Sequence, residues 1–138
     1  MFEVEVRNVA GEPAAIGNAG PHTVVMDRPA DGGGRGVGFN GGQLLYLAIA
    51  GCVSNDLFRE AAADGIDLHR VRVVAKGDFG GNPPVSTEVE YDVEVSGDAS
   101  DEALRELVAR VDEIAEIPNS LRRGTSVTLG SVSARSAS

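Results

Sequence analysis

The chain has 138 residues, of which 42% are hydrophobic, and carries a formal net charge of −9 from 21 acidic and 12 basic residues. That size fits a single domain, residues 1–138, with a core of its own. The acidity argues against nucleic acid and anionic membranes as partners, because both require a basic surface. Aromatics make up only 4% and Trp is absent, so the core has to be Val, Leu, Ile and Ala. The one cysteine, Cys52, has no second thiol to form an internal disulfide. No basic segment followed by an apolar run opens the chain, so no secretory signal is expected. Both facts fit a reducing, cytoplasmic setting.

Phe2 to Arg7 alternates apolar and charged residues, the period of a half-buried strand. Ala14–Asn18 and His22–Asp27 read as two further strands of an antiparallel meander. Arg28 to Asn40 contains three consecutive glycines, which regular structure holds only at a cost. It reads as a long loop whose glycines serve tight turns or close packing. It lacks the Lys-Ser/Thr ending of a phosphate-binding loop.

The stretch Gln43 to Ala63 predicts a central helix, with Asn40 as its N-cap. Leu44 to Val53 is apolar apart from Tyr46 and Gly51, with no polar face. A helix of that kind must be covered on all sides. It is too soon polar to span a membrane, which takes about 20 apolar residues. Cys52 lies in its middle, and Asp56 follows one turn later on the same face.

Asp64-Gly65 ends the helix. Two long alternating runs follow, joined by Gly80-Gly81-Asn82-Pro83-Pro84 as a hairpin. Its outer face sets Arg70, Arg72 and Lys76 against Glu88, Glu90, Asp92 and Glu94. Ser100 caps an amphipathic helix expected over Asp101–Glu116, which Pro118 interrupts. Ser126–Ala134 reads as a last strand. This order is that of an α+β domain with helices on one side of antiparallel strands. His22 and His69 read as strand histidines. Two histidines and one cysteine, far apart, show no metal-ligand spacing, and no cofactor is expected.

The order of these pieces resembles the OsmC/Ohr family, the osmotically inducible and organic-hydroperoxide-resistance proteins. The matching residues are Met26-Asp27, Gly32-Gly33-Gly34, Gln43-Leu44-Leu45, and Ala50-Gly51-Cys52 through Asp56. Downstream, Gly65-Ile66-Asp67-Leu68, Pro118-Asn119-Ser120-Leu121 and Gly124 also match. The resemblance implies an OsmC-like fold, an intertwined homodimer with long central helices packed between curved antiparallel sheets. It also implies reduction of organic or hydrogen peroxides by a pair of cysteines, of which Cys52 matches the first, peroxidatic one.

At the remaining positions this chain departs from that pattern. Ile117 stands where the resolving cysteine would be, so an external thiol reductant is required if the chain is active. Gly41-Gly42-Gln43 replaces the Pro-Glu-Gln of the organic-hydroperoxide branch. Gly17-Asn18-Ala19 offers no activating arginine, which leaves Arg28 and Arg35 as the nearby candidates to stabilise a thiolate. Without a cation, a helix-interior thiol stays mostly protonated at neutral pH. The expectation is therefore a one-cysteine thiol peroxidase acting through Cys52, with Asp56 and Gln43 as further site residues. The alternative is a non-catalytic protein of the same fold that binds a small apolar ligand at the dimer-interface pocket. A third reading has Cys52 as a small buried hydrophobe.

Overall fold

The computed structural model describes residues 1–137. Strands β1 (Glu5–Asn8), β2 (Ala15–Ala19) and β3 (His22–Met26) form an antiparallel meander in the order β1-β2-β3. Helix α1 (Gly41–Ala63) follows, then the hairpin of β4 (Leu68–Gly80) and β5 (Val85–Gly97). Helices α2 (Asp101–Ile114) and α3 (Glu116–Arg122) complete the regular structure.

The core lies between α1, α2 and the inner face of the hairpin. Val53, Leu57, Ala61, Leu104, Leu107 and Val111 are buried there, with Val71, Val73, Tyr91, Val93 and Val95 packed against them. The spacing of four that joins Ile49, Val53, Leu57 and Ala61 makes one buried stripe along α1. The opposite side of α1 stays open in the single chain: Leu47 is 51% exposed and Phe58 47%. The hairpin and helices α2 and α3 cover only part of a helix whose first half has apolar residues on every side.

The outer face of the hairpin carries the expected charge ladder. Arg72 Nη1 lies 3.3 Å from Glu94 Oε1, and Lys76 Nζ lies 3.1 Å from Asp92 Oδ2. A bulge between Gly77 and Phe79 shifts the register, and the Phe79 ring stacks on Tyr46 of α1 at 5.9 Å.

The loop after β3 is organised by Asp27, a buried carboxylate. Its Oδ1 accepts the Arg28 N–H at 2.8 Å, and its Oδ2 accepts those of Arg35 at 3.0 Å and Val37 at 3.2 Å. Burial pushes its pKa up, but the N–H groups of Val37, Arg28, Arg35 and Gly36 outweigh that and hold it below the usual carboxylate value. The chain then returns along β3, where Phe39 N–H donates to the Val25 carbonyl at 2.9 Å and Asp27 N–H to the Phe39 carbonyl at 2.9 Å. Gly34 and Gly38 are pressed against backbone. A Cβ on Gly34 would overlap the Arg28 carbonyl, and one on Gly38 would overlap that of Val25.

Two expectations are corrected. The helix expected to run to Glu116, with a short turn or helix over residues 119–123 after it, ends earlier, at Ile114, and Ala115 is extended (ψ 121°). In a continuous helix Pro118 would clash with the carbonyl four residues back, at Ile114. The chain therefore restarts as α3, where Pro118 sits in the first turn and needs no N–H donor. Ser126–Ala134 forms no strand within this chain. Its apolar Val127, Leu129 and Val132 are largely exposed. Alternation gives a segment the capacity to pair, but a strand needs a neighbouring edge.

Tyr91 on β5 fastens the helical layer. Its hydroxyl donates to Asp112 Oδ1, and Arg122 Nη2 of α3 holds the same oxygen at 2.7 Å. Burial, then the Asp112 hydrogen bond and charge, push the phenol up to about 12. The Tyr91 hydrogen bond, then Arg122, hold Asp112 below the usual carboxylate value.

Replacing Gly34 with Ala forces the loop off its packing and should cost about 1–3 kcal/mol, the range for overpacking; urea unfolding reads the loss. The raised Tyr91 value means that its contribution is fully present below the unfolded phenol value of about 10 and is lost as pH rises to about 12. Chemical denaturation across that window should show a steeper decline for wild type than for Tyr91→Phe. Equal slopes would mean that the phenol is not held in this way.

Candidate functional site

Helix α1 positions the candidate residues, and its start is fixed by a capping box. Gln43 N–H donates to Asn40 Oδ1 at 2.9 Å, and Asn40 N–H donates to Gln43 Oε1 at 3.0 Å. Gln43 therefore spends its amide carbonyl on the cap. Its side chain also borders an apolar cavity of about 410 Å³ between α1 and β4, lined by Phe39, Gln43, Tyr46, Leu47, Ala50, Val73, Val74 and Ala75. Cys52 is not among these lining residues.

Cys52 is free and half-buried. One side of it packs against the core cluster, while Ala48, Gly51 and Asn55 beside it on α1 are exposed. A Cβ added at Gly51 would meet nothing within 4 Å. The thiol thus sits at the margin between the core and the open side of the helix. Among the described residues, no hydrogen bond or ion pair reaches it.

One turn on, Asp56 is 7% exposed. Its Oδ1 pairs with Arg59 Nη1 at 3.2 Å, whereas its Oδ2 is buried without a hydrogen-bond partner. A buried acceptor left in that state costs about 1–3 kcal/mol, more if charged. Arg59 in turn holds Glu60 Oε2 at 3.2 Å. The guanidinium closest in sequence to Cys52 is therefore engaged by two carboxylates.

The two arginines considered as thiolate stabilisers are placed elsewhere. Arg35 Nε lies 3.5 Å from Glu12 Oε2, at the turn between β1 and β2. The Arg28 side chain borders an open cavity of about 640 Å³ near the start of α1, with Pro29, Gly42 and Phe79. Neither makes a hydrogen bond or ion pair with Cys52. Ile117 lies half-buried in the first turn of α3, the short helix that packs on α1. His22 borders the apolar hollow of the meander.

His69 meets two acids that sequence spacing does not reveal. Its Nε2 lies 3.2 Å from Asp98 Oδ1 and 3.9 Å from Asp67 Oδ2. The three potential ligand atoms lie within 4.8 Å of one another, all on exposed side chains. Asp98 comes from beyond the far end of the hairpin, so only strand pairing brings it to His69. The buried, unpartnered oxygen of Asp56 also escaped the sequence reading, which saw only a residue in phase with Cys52.

Comparison with known proteins gives a consistent likeness. The model of the family described as OsmC-like protein matches residues 32–130. An OsmC-like protein of Mycoplasma pneumoniae superposes with a TM-score of 0.77 at 17% identity, covering 91% of this chain and 89% of that one. A Legionella pneumophila structure described as an organic hydroperoxide resistance protein OsmC gives 0.64 at 18% identity, covering 88% and 89%. The organic hydroperoxide resistance protein OhrB of Bacillus subtilis gives 0.60 at 20%, covering 91% and 92%. A search of curated proteins returned no match. At these identities the solved structures speak for the fold, while the family match spans most of the sequence. The chain is a member of the OsmC-like protein family.

Proposed function

We propose that this protein is a one-cysteine thiol peroxidase, which reduces organic hydroperoxides through Cys52 and is recycled by an external thiol. The observation that carries this reading is the position of Cys52: mid-helix, half-buried, at the edge of the exposed side of α1. Two structures of like fold bear the name organic hydroperoxide resistance protein. The sulfur attacks one peroxide oxygen and becomes a sulfenic acid, and the alcohol leaves. Ile117 supplies no second thiol, so the sulfenic acid waits for an outside thiol. Neither Arg28 nor Arg35 makes a hydrogen bond or ion pair with the sulfur, so neither guanidinium assists the attack.

The working unit in this reading is a homodimer. The open side of α1, with Leu47 and Phe58, needs a cover that its own chain does not provide. The exposed inner residues of the meander and the unpaired segment Ser126–Ala134 need partners too. A second copy brings all of these surfaces at once.

A second reading is favoured by the apolar cavity beside Tyr46 and Ala50: the protein holds a small apolar ligand there and Cys52 takes no part in redox chemistry.

Light scattering at micromolar concentration should give the mass of two chains, whereas a stable single-chain mass would remove the dimer. Organic hydroperoxide consumption should proceed with a monothiol present in wild type and stop in Cys52→Ser. Equal rates in the two proteins would discard the peroxidase reading in favour of the ligand-binding one.

A further inference from the structure

The buried oxygen of Asp56 has no partner in the thiol state, and Cys52 has none either. The two residues are four apart on α1, on neighbouring turns of one face, about 5–6 Å apart at Cβ. Cα–Cβ bonds in a helix tilt toward its N-terminus, so the Asp56 side chain leans back over the turn that carries Cys52. Its Oδ1 is fixed by Arg59 at 3.2 Å, which leaves Oδ2 as the free acceptor of a carboxylate held in place.

We infer that Asp56 is a positioning residue for the oxidised state: its Oδ2 accepts the hydrogen bond of a sulfenic acid formed on Cys52. This rests on the reading of Cys52 as a thiol that hydroperoxides oxidise. In that step an S–O bond forms and the O–O bond breaks. Sulfur gives up two electrons and the hydroperoxide is reduced to its alcohol. The thiol proton leaves with the alkoxide, and the transferred oxygen keeps its own proton. The new hydroxyl extends one bond beyond sulfur and closes a gap that the thiol leaves open.

The consequence concerns what happens next. A second hydroperoxide converts the sulfenic acid to sulfinic acid, which external thiols do not reverse. The ionised sulfenate is the better nucleophile for that step. A carboxylate that binds the S–OH proton and repels a second negative charge keeps the group in its neutral form. A protein without a resolving cysteine needs a long-lived sulfenic acid, because its reductant arrives by diffusion.

The test uses the full-length protein and cumene hydroperoxide. Intact mass spectrometry follows addition of the first and second oxygen, with a dimedone-type trap identifying the sulfenic acid. The readout is the ratio of the second rate to the first in wild type, Asp56→Asn and Asp56→Ala, each checked by thermal unfolding. Both variants should raise that ratio by about tenfold, the scale of one charge-assisted hydrogen bond. Asn keeps the shape of the side chain, so it reports the charge even where Ala fails to fold. A purely structural role for Asp56 shifts the melting temperature and leaves the ratio unchanged, which would overturn this inference alone. Wild type that never gains a first oxygen would overturn the peroxide reading and this inference with it.

Discussion

The structure turns on the coverage of α1. The first half of this 23-residue helix, Leu44 to Val53, has apolar side chains around its circumference and cannot be stable in water on its own. The hairpin β4–β5 and helix α2 take one stripe of it, Val53, Leu57 and Ala61. Burying a side chain of this size contributes about 1.5–3 kcal/mol each, so this stripe anchors the fold. The remaining side, near Leu47 and Phe58, stays exposed. Cys52 lies on the boundary between the two, which allows its thiol to be both supported by the core and approached from outside.

The loop before α1 depends on that helix as much as the helix depends on it. Asp27 gathers backbone N–H groups from Arg28, Arg35 and Val37, and Gly34 lets the chain fold over the carboxylate. The capping box at Asn40 and Gln43 then sets the direction in which α1 leaves the loop. Both arginines of the loop give their backbone N–H groups to Asp27, and the Arg35 guanidinium lies 3.5 Å from Glu12.

Much of this was legible in the sequence. The meander, the helix with its Asn40 cap, the charge-paired hairpin and the amphipathic α2 all follow from local periodicity and capping, and local periodicity survives any tertiary arrangement. Three things did not follow. The break at Ala115 arises because the carbonyl that Pro118 would strike belongs to a residue four positions earlier. Ser126–Ala134 has the pattern of a strand and finds no edge to pair with in its own chain. The trio of Asp67, His69 and Asp98 exists only because the hairpin returns to its starting end. In the site itself, Cys52 and the phase of Asp56 could be read from the spacing. The burial of Asp56 and its free oxygen could not, because they depend on what packs around α1.

The electrostatics around Cys52 separate this chain from a site built for fast thiol chemistry. A fast site places a cation beside the sulfur, so that the thiolate is the resting form. Here the next turn carries a carboxylate, and the nearest guanidinium in sequence, Arg59, is shared between Asp56 and Glu60. In the inferred oxidised state that arrangement suits a neutral, proton-bearing species, because the buried Asp56 Oδ2 has no other hydrogen-bond partner. In the proposed peroxidase cycle, Asp56 beside Cys52 favours a durable product of the first oxidation. On that proposal, Cys52 is matched to oxidation followed by repair from an external thiol, because Ile117 brings no second sulfur.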